Sequence, residues 1–265
     1  MDLSQFTSDG KFLMLALDHR DSLKKLINPQ NPGSVTLQEI IDLKSQIMDT
    51  LSDQFSGVLI DAEYGLKAYK EKTKPYLLPA EKSGYVEKEG DRVTEIEYLA
   101  SELKSMGASG VKLLIYFNED SPTAGVQLET AKKVLKDCHD NDMPLFLEIV
   151  TYGDKGPKSE QVLGAVNTFI DQEIRADVFK LEFSGDTVSC RKVTECLGNT
   201  PWILLSKGAD FNLFKEQVKT AVSGGAKGFL AGRSIWQEAG QMKGEERTNF
   251  LQTVVRERFK EICAI

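Results

Sequence analysis

Histidine is nearly absent from this chain: its 265 residues hold two, His19 and His139. Metal-assisted carbonyl chemistry draws on several imidazole ligands, so no metal is expected. His139 lies in Lys136-Asp-Cys-His-Asp-Asn141 and reads as a solvated helix end. Cysteine is scarce too. Cys138, Cys190, Cys196 and Cys263 are scattered without a CxxC pair, which indicates neither a disulfide framework nor a zinc ribbon and suits a reducing compartment. No apolar run approaches the ~20 residues that span a bilayer. The opening Met1-Asp-Leu-Ser-Gln-Phe-Thr-Ser8 lacks the basic and apolar regions of a signal peptide, so a cytoplasmic location is expected. Positive charge is not in excess. A net charge of −7 argues against nucleic acid or an anionic membrane as partner. Neither GxGxxG nor a Walker motif occurs, and no cofactor is expected.

What the chain does have is one recurring unit. A short apolar run closes on a polar residue, and a helix-period segment follows. The runs fall at 11–18, 57–63, 75–81, 110–117, 144–152, 178–183, 202–206 and 228–232. The helical segments fall at 35–53, 66–73, 93–106, 123–141, 159–174, 187–197, 211–223 and 246–262. Pro79 suggests that the third run ends bent. Strands separated by helices make βαβ units, and nearly continuous apolar strands are those covered on both faces. Eight such units predict a single (β/α)8 TIM barrel over residues 1–265, ahead of a doubly wound open sheet.

In such a barrel, chemistry gathers at the C-terminal ends of the strands. Here those ends carry Asp18, Glu63 (with Asp61), Glu81, Lys112, Glu148, Lys180, Ser206 and Arg233. Any one of them alone would read as solvated or as a helix cap; eight of eight suggests a shared pocket. Lys180 stands out, because a lysine within the apolar Val178–Phe183 run is costly unless paired or used. Carboxylates nearby would offset desolvation, and two adjacent ammonium groups would depress each other's pKa. Ser206-Lys-Gly-Ala-Asp210 and Ala231-Gly-Arg-Ser234 close the last two runs. Glycines there let backbone N–H groups approach an anion, and Arg233 offers paired donors, so a phosphate site is expected. A buried lysine, neighbouring acids and a phosphate clamp point to Schiff-base chemistry on a sugar phosphate.

Several stretches resemble the class I tagatose-1,6-bisphosphate aldolases. They are Leu15-Ala-Leu-Asp-His-Arg20, Leu59-Ile-Asp-Ala-Glu-Tyr-Gly65, Ala80-Glu-Lys-Ser-Gly-Tyr85 and Gly110-Val-Lys-Leu-Leu114. Phe146-Leu-Glu148, Asp177-Val-Phe-Lys-Leu-Glu182, Leu205-Ser-Lys-Gly208 and Leu230-Ala-Gly-Arg233 continue the likeness in order. The stretch from Trp202 to Arg233 is equally similar to the sulfofructosephosphate aldolases. The resemblance implies Lys180 as the Schiff-base lysine, Lys112 as a second pocket lysine and Glu148 as the acid/base group. It implies Glu81 as a catalytic or substrate-binding glutamate, and Asp18, His19 and Arg20 as substrate contacts; Glu63 is a further substrate-binding candidate that shares the open acid/base roles with Glu148 and Glu81. His19 stands where the family usually has Gln. Ser206, Gly208, Gly232 and Arg233 match the family's C1-phosphate site.

The expected activity is metal-independent cleavage of a ketose 1-phosphate or 1,6-bisphosphate, foremost tagatose 1,6-bisphosphate, to dihydroxyacetone phosphate and glyceraldehyde 3-phosphate. A sulfonated ketose, a transaldolase reaction and a non-catalytic sugar-phosphate sensor are the alternatives. The tail from Phe250 to Ile265 and the amphipathic helices offer a face either for a homo-oligomer contact or for covering the barrel.

Overall fold

The computed structural model describes residues 1–153 and 156–265. Its centre is a closed sheet of parallel strands: β1 (Phe12–Leu17), β2 (Gly57–Ile60), β3 (Tyr76–Pro79), β4 (Gly110–Phe117), β5 (Leu145–Thr151), β6 (Val178–Leu181), β7 (Trp202–Leu205) and β8 (Gly228–Ala231). Each pairs with its sequence neighbours and β8 closes on β1, with Phe12 opposite Gly228. The expected (β/α)8 barrel is present. Between the strands run α1 (Leu37–Leu51), α2 (Gly65–Ala68), α3 (Ala100–Ser105), α4 (Ala124–Asp140), α5 (Lys158–Asp171), α6 (Thr187–Leu197) and α7 (Phe211–Ser223). After β8 the chain forms a short turn of helix, Arg233–Trp236, and then winds continuously through Gly244–Phe250, a π-helical Leu251–Val255 and α8 (Arg256–Cys263). Among the described residues, no helix is long and apolar enough to cross a membrane.

Local chemistry sets several boundaries. Thr36 caps α1 by accepting from the Glu39 N–H, while the Glu39 carboxylate accepts from the Thr36 N–H, a reciprocal capping box. Asp186 and Asp210 cap α6 and α7 in the same sense. Side chains alternate across each strand, so every strand feeds two cores. Outward residues such as Leu15, Val58, Leu113, Leu147 and Phe179 pack beneath the helices. Inward residues Phe12, Met14, Leu59, Leu77, Phe146 and Leu230 fill the barrel. Phe6, from the N-terminal 3-10 turn, joins this inner cluster with its ring edge-on to Phe146 at 5.1 Å. Burying a side chain of that size is worth ~1.5–3 kcal/mol. The lower end of the barrel is therefore packed and apolar, and the inward polar positions, such as Lys112, Glu148 and Lys180, lie above it.

Two expected helices are cut short. The spacing of Val93, Ile96, Leu99, Ala100 and Leu103 predicts a helix over 93–106, but the helix covers only Ala100–Ser105. Val93 instead ends a β-hairpin, Val86–Lys88 with Asp91–Val93, and Ile96 bridges to Glu81. The 66–73 helix stops at Ala68. Lys72 adopts a positive φ of 45° two residues before Lys74, whose N–H donates to the Tyr69 hydroxyl.

Candidate active site

Alternation along β4, β5 and β6 turns Lys112, Glu148 and Lys180 inward, and the register sets Glu148 directly beside Lys180. Lys180 Nζ donates to Glu148 Oε2 at 2.8 Å. Lys112 Nζ lies 3.2 Å from that same oxygen, 2.5 Å from Glu81 Oε1 and 3.4 Å from Asp18 Oδ2. Five ionisable groups from five strands or strand ends thus form one cluster. It lies in a cavity of about 570 Å³ at the C-terminal end of the barrel. The sequence suggests strand termini for both lysines; Lys180 is the next-to-last residue of β6, but Lys112 is the third of eight in β4 and sits deeper.

The environments push the acids apart. Burial favours the neutral form of every carboxyl here, and neighbouring cations oppose it. At Glu81 burial prevails over Lys112 and raises the pKa. Burial opposes ionisation of Glu148 as well, but Lys180 and Lys112 outweigh it and hold its pKa below the usual range. Asp18 is lowered too, against its burial, chiefly by Lys112. The expectation that two lysines depress each other fails at Lys112. Burial works against its ammonium, yet Glu81, Glu148 and Asp18 raise it well above the ordinary value. Glu81 Oε2 is buried with no protein partner among the described residues, so it is free to meet a bound molecule.

At the opposite side of the cavity are the β7 and β8 ends. Ser206, Gly208, Gly232 and Arg233 all line it, and Gly232 N–H donates to Ser206 Oγ at 3.3 Å. Gly208 has φ +73°, and a Cβ placed on it would meet the Arg233 guanidinium at 3.4 Å. Arg233 pairs with no carboxylate among the described residues, which leaves its paired donors available to an anion.

The other expected contacts divide. Asp18, His19 and Arg20 line the cavity. Arg20, however, is engaged by Glu97 at 2.9 Å and by the Glu81 carbonyl at 3.0 Å, so it fastens the segment after β3. His19 stands edge-on to Trp236 at 5.3 Å, with a buried Nδ1 that lies 3.8 Å from Asp18 Oδ1 and has no hydrogen-bond partner among the described residues. Burial, against the opposing pull of Asp18, lowers its pKa to about 4. Glu63 is not brought into the cluster; it is exposed beyond β2 and lies off the cavity. Its strand-mate Asp61 is fully buried and ion-paired to Lys44 of α1. His139 is half-exposed and bonds Asp177 at 3.1 Å.

Sequence reasoning passed over Lys44, which sits on the apolar face of α1 between Ile40 and Ile47, and that position was its signal. Lys82 and Tyr116 also line the cavity without having been singled out. Glu182, two residues after Lys180, bonds to Thr151 and Lys207.

Comparison with known proteins places this geometry. A model of the DeoC/LacD family aldolases matches residues 12–238. Tagatose 1,6-diphosphate aldolase of Staphylococcus aureus strain JH9 is 30% identical over 275 aligned positions, covering 90% of this chain and 84% of the relative. An archaeal fructose 1,6-bisphosphate aldolase of solved structure superposes with TM-score 0.68 at 21% identity, covering 99% of each chain. A fructose-bisphosphate aldolase from Slackia heliotrinireducens superposes with TM-score 0.69 at 14% identity, over 96% of this chain and 86% of that one. At those identities the two structures bear on the fold alone.

Proposed function

The chain belongs to the DeoC/LacD family of aldolases, and from that premise we propose that it is a Schiff-base aldolase acting on a 1-phosphorylated ketose, foremost tagatose 1,6-bisphosphate. The observation that carries this is a buried lysine amine 2.8 Å from a carboxylate, in a cavity whose other side is an arginine, unpaired among the described residues, beside two glycines. The tagatose 1,6-diphosphate aldolase of S. aureus supports the choice of ketose.

In this reading the phosphate binds at Ser206, Gly208, Gly232 and Arg233, which sets C2 above Lys180. Glu148 takes a proton from the lysine, and the amine adds to the C2 ketone. Glu148 returns that proton to the carbinolamine oxygen and relays a second from the nitrogen, so the oxygen leaves as water, giving a protonated imine and a free carboxylate. Glu148 then takes the C4 hydroxyl proton, the C3–C4 bond breaks, and its electron pair moves into the imine to form an enamine. The aldehyde departs. Protonation of C3 and addition of water release dihydroxyacetone phosphate and restore the amine. Lys112 balances the charge of Glu148 and Asp18. Glu81, whose pKa burial raises, offers Oε2 as a hydrogen-bonding group to a substrate hydroxyl.

The test is borohydride reduction in the presence of dihydroxyacetone phosphate, followed by peptide mass spectrometry. A covalent adduct on Lys180 that is lost in Lys180→Met supports the reading, and no adduct in the wild-type protein overturns it. Cleavage rates across tagatose and fructose bisphosphates and sulfofructose phosphate then rank the substrates. A clear preference for the sulfonate overturns the bisphosphate assignment.

A further inference from the structure

Two residues beyond Lys180, Glu182 is 4% exposed and yet faces away from the cavity. Its Oε2 accepts from the Thr151 N–H and hydroxyl, both at 2.7 Å. Its Oε1 accepts from Lys207 Nζ at 2.6 Å, and Lys158 Nζ lies 3.4 Å away. One carboxylate therefore fastens together the segments that follow β5, β6 and β7.

The third of these segments is the phosphate-binding turn. Lys207 and Gly208 have successive positive φ values, 49° and 73°, and the Ala209 N–H donates to the Ser206 carbonyl at 3.0 Å. That is a left-handed turn, natural to glycine and disfavoured for lysine. The Lys207 side chain is 57% exposed and would be free to swing, but Glu182 holds its ammonium. This shape brings Gly208 against the Arg233 guanidinium and Ser206 Oγ to the Gly232 N–H.

We propose that Glu182 is a positioning residue for the anion pocket, gripping Lys207 so that the Ser206–Ala209 turn and Arg233 are preset for the substrate phosphate. The proposal rests on reading that pocket as the phosphate site. Burial opposes ionisation of Glu182, but Lys207 and Thr151 outweigh it and keep the carboxyl below its usual range, consistent with a permanent anion at the junction. A carboxylate that locks the donors of a binding site reduces the ordering that the ligand must impose.

The experiment compares borohydride trapping as a function of dihydroxyacetone phosphate and of unphosphorylated dihydroxyacetone, with the full-length protein and circular dichroism as a check on folding. Glu182→Gln is expected to raise the half-saturating dihydroxyacetone phosphate concentration roughly tenfold, the scale of one lost charge-assisted hydrogen bond. Dihydroxyacetone trapping should stay within about twofold. A turn variant keeps the proposal testable should Glu182→Gln fail to fold. Lys207→Ala should weaken the phosphorylated ligand, and Lys207→Gly, which adopts positive φ freely, should weaken it less. Equal losses for both ligands, no change, or tighter binding of dihydroxyacetone phosphate by Glu182→Gln would overturn the proposal. So would equal losses in the two Lys207 variants, which would make the lysine a direct phosphate ligand. Wild-type protein trapped by neither ligand sinks the aldolase reading and the proposal with it. Wild-type protein trapped with no preference for the phosphorylated ligand sinks the phosphate site.

Discussion

Glu81 and Glu148 share Lys112, yet they are not equivalent acids. Among the described residues Glu148 has two ammonium neighbours, whereas Glu81 has one and leaves Oε2 without a hydrogen-bond partner in a buried position. An amide imitates a neutral carboxyl that donates a hydrogen bond, but it cannot accept a proton. Glu148→Gln should therefore lower kcat by ~10²–10⁴, the usual worth of a general acid/base. Glu81→Gln should cost about tenfold or less, as an exchange of one hydrogen-bonding group for another of the same shape. Steady-state cleavage of tagatose 1,6-bisphosphate measures both, and a Glu81→Gln loss as deep as that of Glu148→Gln would assign the base to Glu81. His19 gives a second prediction at this scale. Its folded pKa of about 4 lies below its ordinary value, so the unfolded chain binds a proton that the folded one refuses. Stability is whole above pH ~6.5 and falls as pH drops toward 4, by an amount on the order of 3 kcal/mol at most. Asp18, Arg233, Lys44 and Lys180 all act on this ring, and Asp18 stays ionised through the window. Urea unfolding at pH 7 and pH 4.5 should show a smaller acid loss for His19→Gln than for the wild type. Equal losses would remove His19 from the account.

The β-hairpin after β3 is the element that local pattern misjudged. Its Arg92 guanidinium lies 4.5 Å from the Tyr152 ring centre, 4.9 Å from Tyr85 and 5.4 Å from Tyr116. Asp91 Oδ1 accepts from the Tyr152 hydroxyl, and Thr94 Oγ1 donates to the Leu114 carbonyl. Tyr116 and the Lys82–Gly84 stretch line the cavity, and the hairpin backs that wall through the contact of Arg92 with Tyr116. Arg92→Ala should loosen it by roughly 1–2 kcal/mol. Hydrogen exchange should quicken at residues 86–93 while the barrel strands keep their protection, and unchanged exchange there would show that the tyrosine contacts do not hold the hairpin. In the sequence, Val93, Ile96, Ala100 and Leu103 have helical spacing, but Leu99, on the same face, is 55% exposed. Pairing of Ile96 with Glu81 outcompeted the local period. A signal for the turn was present in Glu89-Gly90, both at positive φ, the mirror-image turn that favours glycine at its second position. The barrel strands and the Lys180, Lys112, Glu148 and Glu81 positions were legible because each is a polar break in a local apolar run. Glu63 was misread because its meaning depends on Asp61, whose partner Lys44 lies 17 residues away on a helix.

For the molecule as a whole, Lys44 and Asp61 join the helical shell to the barrel beneath Asp18. Lys44 is fully buried; its Nζ donates to the Leu17 carbonyl at 2.6 Å and to Asp61, whose Oδ1 accepts from the Tyr64 N–H at 2.7 Å. The pair thus ties α1 to the ends of β1 and β2, next to the β1–β8 closure. Desolvation consumes much of the attraction in such a pair, so its presence adds little net stability, whereas removing one partner strands a charge in an apolar setting. Burial already lowers the Lys44 pKa against the pull of Asp61. Lys44→Met should accordingly destabilise the fold by about 3–5 kcal/mol. Adding Asp61→Asn, which removes the stranded charge but keeps an acceptor for Tyr64, should restore part of that loss. Urea unfolding of the single and double variants decides the matter. A double variant less stable than Lys44→Met would mean that Asp61 serves the barrel through the Tyr64 bond and the Lys44 charge is incidental. Recovery would instead place the cost in the unpaired carboxylate and make the ion pair a device for joining helix to barrel.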